Sequence, residues 1–353
     1  MIRSTLGLPL IALALAGCSP SDPHQAISSK LTDGVIVPIY SAWSEADRQL
    51  AVSAKAFCAD QITLAEARQA FSSAQSTWAA VQPVALGPLA EGNRAWQIQF
   101  WPDKKNLVAR QVEALVKAKP ELTPADLDKS SVVVQGLTAY EYLLFDPALD
   151  LNDSAQKARY CPLLTAIGDH QQTLAADILG QWQSKDGIAA QLKNFPNDRY
   201  AEAQEAVTDI LRTQVSAIDG LKKKLGTPLG RQSKGLPQPY QAEAWRSKAS
   251  LANLASSLAS AERVWLGAEN DGVQTLLSDS QHDLKERVKS AFIDTRQRLA
   301  NNQRPLSDML ADEAGRTELN ALYDSLNNLH RLLEGEVAKT LGIQLGFNAH
   351  DGD

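Results

Sequence analysis

The stretch Val132-Val-Val-Gln-Gly136-Leu-Thr138-Ala-Tyr140-Glu141-Tyr-Leu-Leu-Phe145 is an apolar run with one carboxylate in its middle. Wound at about 100° per residue, it places Glu141 between Val134, Leu137 and Leu144 on one side of a helix. Apolar residues fill the other faces as well, so the spacing predicts a helix buried all round. Glutamate is almost never fully buried without a partner. An unpaired buried carboxylate takes up a proton or carries a heavy desolvation cost. Glu141 therefore calls for a cation, a hydrogen-bond donor or a metal. The pattern leaves two readings open, a structural ion pair with an arginine and a functional site.

Outward from that run, the chain reads as further helices with few strand signals. Thr63-Leu-Ala-Glu66 is a capping box that starts a helix running to about Val81. Asp103 caps a helix through Lys117, Thr123 with Pro124 starts a short one, and Asp153 precedes a long segment to about Trp182. Three stripes recur at spacings of three and four. They are Val207, Ile210, Leu211, Val215, Ile218 and Leu225; then Leu251, Leu254, Leu258 and Trp265; then Leu319, Leu322, Leu326, Leu329, Leu333 and Val337. Such stripes are bundle core. Gly and Pro gather at Pro83 to Gly92, Asn194 to Asp198 and Gly226 to Pro239, which read as loops. Each half holds a helix with a central Trp ahead of a Gly-containing loop, Trp78 before Gly87 and Trp265 before Gly267. The expected fold is all-α, two packed bundles of a duplicated four-helix type. They cover residues 27–196 and 197–353, with the boundary in Asn194-Phe-Pro-Asn-Asp198.

The N-terminus points to a compartment. Residues 1–17 hold one charge, Arg3, and an apolar core from Leu6 to Ala16 that is too short to span a bilayer. They end in Leu15-Ala16-Gly17-Cys18, which resembles a bacterial lipobox, with cleavage before Cys18 and lipid on that cysteine. Ser19 after the cysteine favours the outer membrane of a Gram-negative envelope. The expected arrangement is a lipoprotein signal peptide over residues 1–17, a tether over 18–26, and a protein held by lipid on the periplasmic face. Cys58 and Cys161 remain. An even pair in an oxidising compartment predicts one disulfide, closing a loop of about 100 residues and worth about 4–5 kcal/mol in the chain-entropy model. Two buried thiols are the alternative.

The 353 residues carry a formal net charge of −6, which becomes −7 once Arg3 leaves with the signal. An acidic chain without a basic stripe is poorly suited to nucleic acid. No second segment is apolar enough to cross a membrane. The chain has no HExxH helix, nucleophile elbow or P-loop. His330 and Glu334 stand at i, i+4 beside the Leu326 and Leu333 stripe, and His330 reads as a partly buried structural histidine. Asp169-His170 and His282-Asp283 read as solvated pairs. The segment from Gly87 to Asp103 is dense in aromatics, and it reads either as a packed aromatic corner with Arg94 at the surface or as the source of the guanidinium against Glu141, for which a hydroxyl such as that of a tyrosine is the other expected partner. At the far end, Asp351 and Asp353 flank a glycine just after His350. They form either a loose acidic tail or a source of oxygen ligands.

Together these features resemble the imelysin-like family of bacterial periplasmic and lipid-anchored proteins, which is also classed as a peptidase family. The lipobox carries part of the resemblance. The rest lies in a Gly87-Pro-Leu loop leading into IQFWPDKKN (98–106), the GLTAYEYLLFD segment (136–146) and the closing LGFNAHDGD (345–353). The resemblance implies two helical bundles side by side with a site between them. It also implies an association with iron uptake, alongside other periplasmic iron-transport proteins. The family motif is Gly-x-His-x-x-Glu. Gly136 and Glu141 match it, and Thr138 stands where the histidine is expected. His and Glu at i, i+3 share a helical face and can hold a metal together, whereas threonine is a poor transition-metal ligand.

The expected motif and binding residues are Gly136, Thr138, Tyr140 and Glu141, with Arg94, Trp101 and Asp103 beside them. Glu141, Asp351 and Asp353 are the metal-ligand candidates, and iron or another divalent metal is the cofactor that the resemblance implies. A catalytic zinc site needs three protein ligands and a water, and the sequence does not assemble them. The expected function is therefore non-enzymatic: a lipid-anchored protein acting in iron or metal acquisition by binding a ligand or partner. A metallopeptidase using Glu141 as base or ligand is one alternative. A structural envelope lipoprotein with Glu141 in a salt bridge is the other.

Overall fold

Asp22 begins the part of the chain that a computed structural model describes, residues 22–344, and it does so as a helix cap. Its carboxylate accepts the His24 N–H at 2.9 Å, and Pro23 fills the first helical position, where no donor is needed. Helix α1 (Pro23–Leu31) runs through a π-helical turn, Thr32–Ile36, into α2 (Val37–Cys58). The chain is thus already helical inside the stretch 18–26 that was expected as tether. Cys18, Asp351 and Asp353 lie outside the described residues.

Helix α3 (Leu64–Val81) opens on the expected capping box, with Thr63 N–H on Glu66 Oε2 at 2.7 Å and Glu66 N–H on Thr63 Oγ1 at 3.2 Å. Then follow α4 (Leu107–Ala118), α5 (Leu137–Phe145), α6 (Ser154–Gln183), α7 (Ala203–Gly226), α8 (Ser250–Leu266), α9 (His282–Asn301) and α10 (Glu313–Arg331). One-turn helices join several of them, and no strand occurs among the described residues. The three stripes lie on the buried faces of α7, α8 and α10, the last continuing into a π-helical segment, Leu332–Val337.

Helix α2 packs against α3 and α6, and α5 packs against α3, α4 and α6. Helices α7 to α10 form a second group, α7 against α8 and α10, α9 against the same two. The groups meet where α3 lies on α8 and α1 on α7. Trp78 and Trp265, the two tryptophans that hinted at duplication, are buried on the two facing helices α3 and α8. Buried apolar side chains form one cluster from Ile27 to Ile343. A Cys58–Cys161 disulfide ties the end of α2 to α6 with 5.7 Å between the Cα atoms.

The run Val132 to Phe145 is not one helix. Val132–Val134 forms a 3-10 turn, Gly136 is extended at φ −118°, and α5 starts only at Leu137. A Cβ on Gly136 would fall 2.4 Å from the Ile98 carbonyl oxygen and 2.6 Å from that of Gln97. The Gln171 amide donates to the carbonyls of Gln97 and Gln135, at 2.9 and 3.0 Å. Close passage of the 97–98 backbone therefore breaks a run whose local pattern is helical throughout.

Candidate functional site

Helix α5 carries Glu141 into the junction of the two bundles, where it is 2 % exposed. Its Oε1 accepts both the backbone N–H and the hydroxyl of Ser247, each at 2.7 Å. Ser247 lies in the irregular stretch that leads into α8. Ala244 at φ 53° and Lys248 at φ 59° flank it in the left-handed region, a conformation that costs free energy for residues with a Cβ. The stretch is held in that shape by what it touches.

Arg94 is not the partner of Glu141. Its guanidinium donates to the Pro88 carbonyl at 3.2 Å and to Gln181 Oε1 at 3.3 Å, and lies 3.6 Å from Asp177. The one-turn helix Arg94–Ile98 packs on the Gly87–Ala90 turn, which aims Arg94 at α6 instead. The cation near Glu141 is Arg246. It donates to Asp146 Oδ2 at 2.7 Å and to Asn106 Oδ1 at 2.9 Å, and its side chain is 1 % exposed. It sits 4.3 Å from the Trp245 ring centre and 5.3 Å from that of Tyr142.

Asp146 thus takes the direct contact with Arg246, and Glu141 is held by neutral donors. Burial pushes the Glu141 carboxyl above its ordinary range, the Ser247 hydrogen bonds and the Arg246 charge oppose that, and the Glu243 charge adds to it. Glu243 is itself buried and paired with Lys224 at the end of α7, which also donates to Gln82 Oε1 at 2.8 Å.

Trp101 donates its indole N–H to the Gln241 carbonyl at 3.0 Å. Residues 241–247 are therefore tied to the first bundle at Trp101, Asn106, Glu141 and Asp146. Thr138 gives its hydroxyl to the Phe100 carbonyl at 3.0 Å, which fixes the strip of backbone that Gly136 admits. Tyr140 points elsewhere. Its ring stacks on Phe71 at 5.7 Å, its hydroxyl finds no hydrogen-bond partner among the described residues, and burial raises its phenol.

Among the described residues, the donor set at the junction does not fit a first-row metal. Glu141 Oε1 already accepts two hydrogen bonds, the Thr138 hydroxyl points at a carbonyl, and the nearby carboxylates of Asp146 and Glu243 each hold a cation. Among the described residues, no group of three or more His, Cys, Asp or Glu is placed to hold an ion. His330 Nδ1 lies 3.5 Å from Glu334 but equally 3.5 Å from the Lys222 ammonium, and burial with that charge lowers its pKa. His170, expected to be solvated, is half-buried 3.3 Å from Asp128, and burial lowers its pKa.

Beside the junction opens a cleft of about 630 Å³ between Asp103–Asn106 and Pro237–Trp245. Tyr240 and Trp245 meet there edge to face, ring centres 5.0 Å apart. Lys104 and Lys105 stand exposed at its rim. Asp103 lines it too, but its carboxylate caps α4, accepting Leu107 N–H at 2.6 Å and Val108 N–H at 3.2 Å. Of the residues expected from the sequence, Asp103 lines the cleft and Trp101 holds its Gln241 edge, while Asn106, Tyr240, Trp245, Arg246 and Ser247 were not among them. The signal for the last three was a Trp-Arg-Ser triplet with no helical period, just past a Pro-rich loop.

These features define an all-α protein of two side-by-side bundles, with its motif glutamate buried at their junction. The chain belongs to the imelysin family, whose model matches residues 36–333. An imelysin-like protein from Psychrobacter arcticum superimposes with a TM-score of 0.79 at 24 % identity, covering 92 % of this chain and 97 % of that one. A structure from Parabacteroides distasonis, described provisionally as an iron-regulated protein A precursor, gives 0.73 at 16 % identity with the same coverage, 92 % and 97 %. At these identities the two structures speak to the fold alone. No curated protein matches the chain.

Proposed function

We propose that this protein is a non-catalytic, lipid-anchored imelysin of the bacterial envelope that serves iron or other metal acquisition by binding a ligand or partner at the cleft. The observation that carries this reading is the contrast at the junction. The motif carboxylate is engaged by Ser247, while the cleft beside it is open, aromatic and positively charged. Family membership supports the metal context. No helix among the described residues is long and apolar enough to cross a membrane; in this reading the lipid sits on Cys18, at the end of the lipobox-like Leu15-Ala16-Gly17-Cys18. A metallopeptidase draws no support from the donors among the described residues, because a catalytic zinc needs three protein ligands and an open position.

The test is metal uptake under metal limitation in cells that depend on this chain, comparing the natural sequence with Tyr240→Ala and Cys18→Ala. We expect Tyr240→Ala to lower uptake and Cys18→Ala to release the protein from the membrane fraction. Unchanged uptake with Tyr240→Ala, or peptide turnover abolished by Glu141→Gln, overturns the reading.

A further inference from the structure

The cleft carries a charge opposite to that of the chain as a whole. The full chain is at −6, yet Lys104 and Lys105 stand exposed at the rim and join no ion pair among the described residues. The one carboxylate in the lining, Asp103, is occupied by two backbone N–H groups of α4. Two ammonium groups thus face a single carboxylate that pairs with neither, a formal excess of one positive charge in the lining. Across from them Tyr240 is 70 % exposed, an unusual placement for a large aromatic side chain. Trp245 is a fixed wall, because its ring is backed by Arg246, and Arg246 is immobilised by Asp146 and Asn106. Aromatic faces recognise planar rings, and paired lysines recognise negative charge. A cleft of this size suits a small molecule rather than a folded partner.

We infer that the cleft takes an anionic aromatic small molecule, an aryl carboxylate or catecholate, with its ring against Tyr240 and Trp245 and its anionic groups toward Lys104 and Lys105. A phosphate-like anion leaves the aromatic wall unused, and a neutral ring leaves the lysines unpaired. The inference rests on the reading above only in taking this cleft as the working site.

The purified protein is titrated with 2,3-dihydroxybenzoate, alone and as its ferric complex, with calorimetry and tryptophan fluorescence as readouts. Benzyl alcohol and cyclohexanecarboxylate are the controls for charge and ring. We expect both controls to bind at least about tenfold more weakly than dihydroxybenzoate. Lys104→Gln with Lys105→Gln weakens dihydroxybenzoate by about tenfold at low salt and flattens the salt dependence. Tyr240→Leu, a change at an exposed position, weakens it by a similar factor. Circular dichroism establishes that each variant is folded.

Tighter binding of the ferric complex makes the loaded chelate the ligand, and tighter binding of the free form makes it the metal-free aryl anion. Either result upholds the inference. Equal binding of benzyl alcohol, no effect of the lysine pair, or no aryl-anion binding by folded protein overturns it. Cellular uptake separates the two ideas. Uptake that needs Tyr240 without aryl-anion binding sinks this inference alone, and aryl-anion binding with uptake indifferent to Tyr240 sinks the working-site reading alone.

Discussion

Asp47 and Glu141 are both buried carboxyls on helices of the first bundle, and they are accommodated in opposite ways. Asp47 lies on α2 at 0 % exposure, and neither of its oxygens has a hydrogen-bond partner among the described residues. Only the Trp43 indole, one turn back, opposes the burial that pushes this carboxyl well above the ordinary range. Glu141 faces the other bundle and meets Ser247, 106 positions further along the chain. The interior of one bundle offers helix surfaces whose backbone donors are already used, so a carboxyl there must take up its proton. A junction offers irregular backbone with donors to spare, so a carboxyl there can hold a loop in place.

The sign of the pH dependence is the same for both. Each pKa is raised on folding, so each stability contribution is fully present below the unfolded value, near pH 4, and is lost as pH rises toward the folded value.

The largest effect that sharpens this comparison is expected from Arg246→Met. It leaves Asp146 facing a site with no cation, and chemical denaturation should show a loss of about 3 kcal/mol or more. A neutral result would mean that the junction is held by shape alone. Next comes Glu141→Leu. It leaves the Ser247 N–H without its acceptor and the hydroxyl with only the Ala244 carbonyl at 3.3 Å, and should cost about 2–3 kcal/mol, with faster amide exchange at Ser247. Glu141→Gln keeps an accepting oxygen and should cost under about 1 kcal/mol. Equal losses for the two variants would show that the charge, not the hydrogen bonding, holds the junction.

Asp47→Leu should have the opposite sign. Leucine keeps the γ-branched outline without the polar atoms, and a gain of about 1–2 kcal/mol is expected at pH 7. That gain should shrink below about pH 4, where the aspartate is neutral in both states. Destabilisation at pH 7 would reveal an ordered partner for Asp47 and break the contrast.

The smallest effect is expected from Thr138→His. It restores the family's His and Glu on one helical face, but Glu141 still accepts from Ser247. Zinc or iron affinity, followed by calorimetry, should therefore rise by less than about tenfold, because two ligands do not complete a site. A larger gain would mean that Ser247 releases the carboxylate.

The helical fold was legible wherever a local rule acted alone. The Thr63–Glu66 box, the Asp153 start and the leucine stripes of α7, α8 and α10 all sit where spacing and capping put them. Burial of Glu141 was legible too, because a lone carboxylate in an apolar run has no exposed face to turn to. Asp47 was not. It sits in Ser44-Glu-Ala-Asp-Arg-Gln49, a polar sequence that reads as solvated until α3 and α6 cover it.

The sequence by itself determined the all-α class and the need of Glu141 for a partner, since periodicity and desolvation are properties of the chain, while the choice between a Cys58–Cys161 bond and two buried thiols fell to the structure, which brings the two Cα atoms to 5.7 Å. Tertiary structure alone decided which partner that is. Arg94 was the guanidinium that its aromatic-rich segment put forward, yet its short helix aims it at α6, while Ser247 arrives from the second bundle. The break at Gly136 and the aromatic cleft wall have the same origin. They depend on contacts between segments about 40 to more than 100 residues apart, and no local pattern encodes the point at which two such segments meet.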